Sequence, residues 1–115
     1  GKNMLNISKL TFELRQLIGD SSLILLNATP TYEYKDGVKT DTVIGTTYEV
    51  VENGGNYDKF RVKVSDVGNS IDPNFIKNSK NPIIVDFENT SCKLYTDTYN
   101  RLQVSVSATE IRILD

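Results

Sequence analysis

The sequence predicts an all-β protein with room for one short helix, folded as a small barrel of five or six strands. Three observations carry this expectation. First, turn signals at Asp36-Gly37 and Asn53-Gly54-Gly55-Asn56 divide Thr31 to Val64 into segments rich in Thr, Tyr, Val and Phe. Such residues suit a pleated, half-buried surface, so the stretch reads as a meander of three antiparallel strands. Second, Phe60, Val62 and Val64 alternate with Lys59, Arg61 and Lys63, which gives one strand an apolar face and a face carrying three cations. Third, a long polar connection follows that strand, and Gly45 interrupts the one before it. A glycine inside a strand leaves space for a bulge, a bend or a close backbone approach, and closed barrels use such devices to curl their sheets.

The 115 residues suit a single domain over positions 1–115, long enough to bury a core but too short for two. Hydrophobic residues make up 38% and charged residues 24%, the balance of a folded chain rather than a disordered one. With 13 Lys and Arg against 15 Asp and Glu, the net charge is −2. That balance excludes coating of duplex DNA by bulk charge, so any nucleic-acid site has to be a local patch. The chain has one cysteine, Cys92, and no histidine, which removes intrachain disulfides, Ser-His-Asp triads, Cys-His nucleophiles and His-ligated metals. No apolar run nears the ~18 residues of a membrane span, and no secretory pattern opens the chain. The expectation is a cytoplasmic protein without membrane contact, cofactor or metal.

From the N-terminus, Ile7, Leu10, Leu14, Leu17 and Ile18 follow helical spacing, with Ser8 as a candidate N-cap and Gly19 as a stop. Leu10, Phe12 and Leu14 also alternate as a strand would, and periodicity alone leaves both readings open, with a lean to the helix. The apolar run Leu23 to Leu26 suits a strand buried on both faces or one leading into a sharp bend, and Pro30 belongs at a bend or sheet edge. Tyr32 and Tyr34 share a face beyond it. After Asp36-Gly37, Lys39 to Thr42 are expected to extend the loop before a strand from Thr42 to Val51. Its faces divide into Ile44, Tyr48 and Val50 against Val43, Gly45, Thr47 and Glu49.

Ser65 to Asn81 is the most polar and turn-rich stretch, with Phe75-Ile76 available for one helical turn after Pro73. Long connections of this kind often carry function or motion. Pro82 to Glu88 then resumes alternation, placing Ile83, Val85 and Phe87 on one face. A turn-rich stretch from Asn89 to Asn100 holds Leu94, Tyr95 and Tyr99. Leu102, Val104 and Val106 alternate with Arg101, Gln103 and Ser105, and Ile111 and Ile113 lie near the end of the chain.

A meander, a crossover able to hold a helix and a closing hairpin form the order of an OB-like barrel. Other small barrels and a β-sandwich share much of the same pattern. Within it, YKDGVKTDTVIGTTYEVV followed by YDKFRVKV resembles small proteins of conjugative elements and phages, including the gene-V-like single-stranded-DNA-binding proteins of filamentous phages. The likeness lies in a Tyr-rich or basic hairpin, a glycine in the second strand, a Tyr-Glu-Val strand end and a basic alternating strand. This resemblance implies an OB fold that binds single-stranded DNA, as a homodimer or a cooperative array.

Binding a single strand without reading its sequence requires cations along a groove and aromatic faces for the bases. Lys59, Arg61 and Lys63 supply cations on one strand, Lys35 and Lys39 in the neighbouring hairpin and Arg101 on a later strand. Tyr57 shares the parity of the basic row, and Tyr95 and Tyr99 flank a hairpin tip. The row also suits a solvated outer face that guards a sheet edge, and Tyr32, Tyr34 and Tyr48 suit packing. Asp36 with Asp41 and Asp86 with Glu88 form carboxylate pairs, but no third ligand, phosphate loop or activated nucleophile accompanies them. They read as surface acids, and the chain as a non-enzyme. The competing function is a protein-interaction or structural module of a mobile-element or secretion machinery, working through its strand edges.

Overall fold

In the computed structural model, which describes residues 10–55 and 58–114, the chain begins with β1 (Thr11–Phe12), α1 (Leu14–Ile18), β2 (Ser22–Lys35), β3 (Val38–Asn53) and β4 (Lys59–Val64). It continues through α2 (Pro73–Asn78), β5 (Ile84–Glu88), β6 (Ser91–Thr96), β7 (Leu102–Ala108) and β8 (Glu110–Leu114). The protein is therefore mostly β, with two short helices. Eight strands lie in one sheet, ordered β1-β6-β7-β4-β3-β2-β5-β8, with no pairing between its ends β1 and β8 among the described residues.

Eight strands exceed the expected five or six for local reasons. β1 has only two residues, too few to show a period. Ser91–Thr96, masked in the sequence by the turn residues around it, forms β6. A single residue, Thr109, separates β7 from β8. At the N-terminus both readings hold in part, since Thr11–Phe12 is strand and the helix begins at Leu14. The Glu13 amide donates to Gln16 Oε1 at 2.8 Å, and Gly19 ends the helix at a φ of 59°, a value that glycine adopts without steric cost. The candidate cap Ser8 lies outside the described residues.

The meander is longer than expected because Asp36 and Gly37 form a two-residue turn with φ of 50° and 80°, the positive pair of a type I′ hairpin. Lys35 pairs directly with Val38, so Lys39 to Thr42 belong to β3 rather than to a loop. The apolar run Leu23 to Leu26 is not buried on both faces. Leu23 and Leu25 enter the core and Leu26 alternates outward, while a register shift between Leu25 and Asn27 leaves Asn27 outward as well and makes Ala28 the next buried residue. Pro30 lies where β2 pairs with β3 only, because β5 meets β2 at Leu23 and Ile24.

The core gathers one face of each main strand. Tyr48, Val50, Val62, Val64, Val85, Phe87, Cys92, Val106 and Ala108 are buried together with Leu23 and Leu25, and the rings of Tyr48 and Phe87 pack with centroids 6.4 Å apart. Ile76 of α2 joins this core, and its helix starts where Asp72 Oδ1 accepts from the Asn74 amide at 2.8 Å.

Two bends shape the C-terminal half. β5 pairs with β8 from Ile84–Leu114 to Glu88–Glu110, and β6 pairs with β7 from Ser91–Ser107 to Thr96–Leu102. The second ladder continues the register of the first across the corner at Asn89-Thr90 and Thr109. The Thr109 amide donates to the Glu88 carbonyl there at 3.0 Å, and Asn89 adopts a φ of 53°. One end of this bent hairpin meets β4 through the parallel pairing of β7, and the other meets β2 through β5.

Candidate nucleic-acid interface

The parity that buries Val62 and Val64 turns Lys59, Arg61 and Lys63 to the opposite face of β4. Neighbouring strands continue that face. Thr47 lies opposite Lys63 and Glu49 opposite Arg61 on β3, while Thr29 and Asn27 of β2 lie opposite Thr47 and Glu49. On the far side, Ser105 and Gln103 of β7 lie opposite Lys93 and Tyr95 of β6. These side chains line one open groove of about 910 Å³.

Its charge is concentrated. Lys59, Arg61, Lys63 and Lys93 line it with one carboxylate, Glu49. Among the described residues, the ion pairs join other groups: Arg15 and Arg112 to Asp86, Arg112 to Glu88, and Arg101 to Asp97. Among the described residues none of the four groove cations belongs to an ion pair, although the whole chain is acidic. The three on β4, two residues apart in sequence, span about 13 Å along the strand.

Of the nine residues expected to form the site, the groove unites Lys59, Arg61, Lys63 and Tyr95. Tyr57 lies outside the described residues. Lys35 and Lys39 belong to the distal β2–β3 hairpin and do not line the groove, and the Lys39 ammonium sits 4.3 Å from the centre of the Tyr32 ring. Tyr99 and Arg101 lie at the β6–β7 tip, also outside the lining. Arg101 is engaged there, with Nε 3.1 Å from Asp97 Oδ2 and its guanidinium 5.1 Å from the Tyr99 ring centre.

Asp97 organises that tip. Its Oδ1 accepts from the amides of Tyr99 and Arg101, and its Oδ2 from Arg101 Nε and Gln103 Nε2. The Arg101 amide bond is the largest influence holding the Asp97 carboxyl below its ordinary range; the Gln103, Tyr99 and Arg101 side-chain and backbone donors reinforce it against the opposing cost of burial. Tyr99 remains exposed beside it. The tip therefore presents an aromatic face on an ordered loop, with its arginine charge already partnered.

Lys93, Gln103, Glu49 and Asn27 are groove residues that sequence reasoning did not assign to the site. Reading Ser91–Thr96 as a strand would have revealed Lys93 and Tyr95 facing opposite to the buried Cys92. Asp86 and Glu88 share a face, as expected, but Arg15 and Arg112 occupy them, so the pair braces β5 and β8. Among the described residues, no group of three acidic, His or Cys side chains could hold a metal, and no helix is long and apolar enough to cross a membrane. Neither a family model nor a curated protein nor a solved structure matches the chain.

Proposed function

We propose that this chain is a non-catalytic single-stranded-DNA-binding protein that takes its ligand across the outer face of β2, β3, β4, β7 and β6. The observation that carries the reading is the gathering in one groove of Tyr95 and four cations that have no ion pair among the described residues. Cations along a groove hold the phosphates, and an aromatic face adds about 1–3 kcal/mol for each stacked base.

The topology supports an OB-like barrel beneath that face. Taking the bent β5–β6 and β7–β8 as single strands leaves five main strands and β1. Their neighbours then run β2, β3, β4, β7–β8, β5–β6 and back to β2. OB folds bind oligonucleotides on the face of their second and third strands and through the loops after strands one and four. Those features correspond here to β3 and β4, the Asp36-Gly37 turn and the Asp97–Arg101 tip. The role in a phage or conjugative element, and assembly as a dimer or cooperative array, rest on the sequence resemblance.

Fluorescence anisotropy with labelled oligo-dT at low salt tests the reading. Saturable binding is expected, and joint replacement of Lys59, Arg61 and Lys63 by Glu should abolish it. Four engaged phosphates predict a log–log salt slope of about −3. Absence of saturable binding, or indifference to the charge reversal, overturns the proposal.

The second reading, a protein-interaction module, draws on the distal hairpin. Tyr34, Val38, Val43 and Ile44 are exposed there, where β3 has passed beyond its pairing with β4. A protein partner retained from the native host after nuclease treatment would favour this reading.

A further inference from the structure

We infer that Glu49 makes the groove select a base with paired hydrogen-bond donors, guanine above thymine, in the single strand it binds. This rests on the groove being the single-strand site proposed above. Glu49 is the one carboxylate among the groove's lining residues, and it lies directly opposite Arg61 across the β3–β4 ladder. Opposed residues in an antiparallel pair have Cβ atoms about 5 Å apart, yet among the described residues neither side chain belongs to an ion pair.

The carboxylate divides the groove. Cations line β4 and β6, whereas the β2–β3 side offers Asn27, Thr29, Thr47 and Glu49. A phosphate placed over Glu49 meets like charge, so the backbone follows the cation row and a base beside Glu49 falls across β3. An ionised carboxylate only accepts hydrogen bonds, and its two oxygens take a bidentate pair of donors. The Watson–Crick edge of guanine presents such a pair, N1–H beside the N2 amino group. Thymine presents a single N–H flanked by two carbonyl oxygens, which face the carboxylate unfavourably. Single-strand recognition reads these edges because the bases are unpaired.

Competition binding at fixed salt between oligo-dT and an equally long d(TG) repeat tests the inference. The native protein should prefer the d(TG) strand by about tenfold, the scale of one good bidentate contact. Glu49→Gln should bring the ratio close to one and strengthen oligo-dT binding, since a negative charge beside the phosphate path is removed. Retained oligo-dT binding also shows that the variant folds. A native ratio near one, or a preference that survives Glu49→Gln, overturns the assignment of Glu49 and leaves the groove standing. Failure of the native protein to saturate with either strand overturns the groove itself.

Discussion

The Tyr48 hydroxyl donates a 2.7 Å hydrogen bond to Asp66 Oδ2 and accepts one from the Ile71 amide at 3.0 Å. Tyr48 is fully buried and Asp66 nearly so, so one phenol fastens the core side of β3 to the connection after β4. Asp66 Oδ1 is buried without a hydrogen-bond partner among the described residues, which leaves the Tyr48 bond as a principal compensation for burying this carboxyl. Tyr48→Phe keeps the ring but strips Asp66 and the Ile71 amide of their shared partner. Urea denaturation should register a loss of about 2–3 kcal/mol. An unchanged midpoint would show that the connection is held by other contacts.

The same bond sets a pH limit. Burial first, and the Asp66 hydrogen bond second, push the Tyr48 hydroxyl up to about 12 from its ordinary 10.0. Raising a phenol's pKa in the native state favours its neutral form. The corresponding stability is fully present below the unfolded value and is lost as pH rises from about 10 towards 12. Two pKa units correspond to about 3 kcal/mol at most. Denaturation midpoints should hold steady up to about pH 9 and fall above pH 10, and Tyr48→Phe should flatten that alkaline decline.

Gly45 packs against the backbone of β4, where an added Cβ would overlap the Val64 carbonyl oxygen and lie 3.1 Å from its carbon and 3.3 Å from Ser65 Cα. Backbone atoms cannot rotate aside as a side chain can. Gly45→Ala should therefore cost about 1–3 kcal/mol, the range for overpacking, and displace the end of β4. Since Lys63 precedes Val64, oligo-dT affinity should fall with stability. Equal stability and affinity in the variant would place the strain elsewhere.

Cys92 is fully buried, and desolvation raises its thiol pKa. Thiolates, not thiols, attack disulfide reagents. The native protein should react with such a reagent only as fast as it opens, and denaturant should release the full rate. Rapid modification of the folded chain would contradict the close packing of β6 on the core.

Much of this architecture was legible from short-range rules. The parity of Phe60 to Val64 placed both the core side of β4 and its basic face, Asp36-Gly37 marked the hairpin, and Gly45 left open a bulge, a bend or a close approach, of which the structure shows an approach to the Val64 backbone. What remained hidden depended on partners distant in sequence. Lys93 and Arg61 meet in the groove because β7 lies parallel to β4 and carries β6 beside it, a neighbourhood no local period encodes. Arg101 looked like a site residue because composition shows its charge but not the Asp97 carboxylate already holding it. The strand count differed because a bend at Thr109 divides one register between β7 and β8.

The contrast between Lys93 and Arg101 gives the groove a direct test. Both were equally available as cations in the sequence, but only Lys93 lines the groove, while Arg101 is paired with Asp97 at the tip. Each phosphate neutralised contributes about −0.7 to the log–log salt slope for a single strand. Lys93→Ala should therefore make the slope for oligo-dT shallower by about 0.7 and weaken binding at low salt. Arg101→Ala should leave the slope nearly unchanged, because its charge is already compensated, and Lys39→Ala should behave alike because Lys39 lies on the distal hairpin. The reverse pattern, with the slope responding to Arg101 and Lys39 but not to Lys93, would move the phosphate path from the strand face to the hairpin tips, and Glu49 would then lie away from the bases.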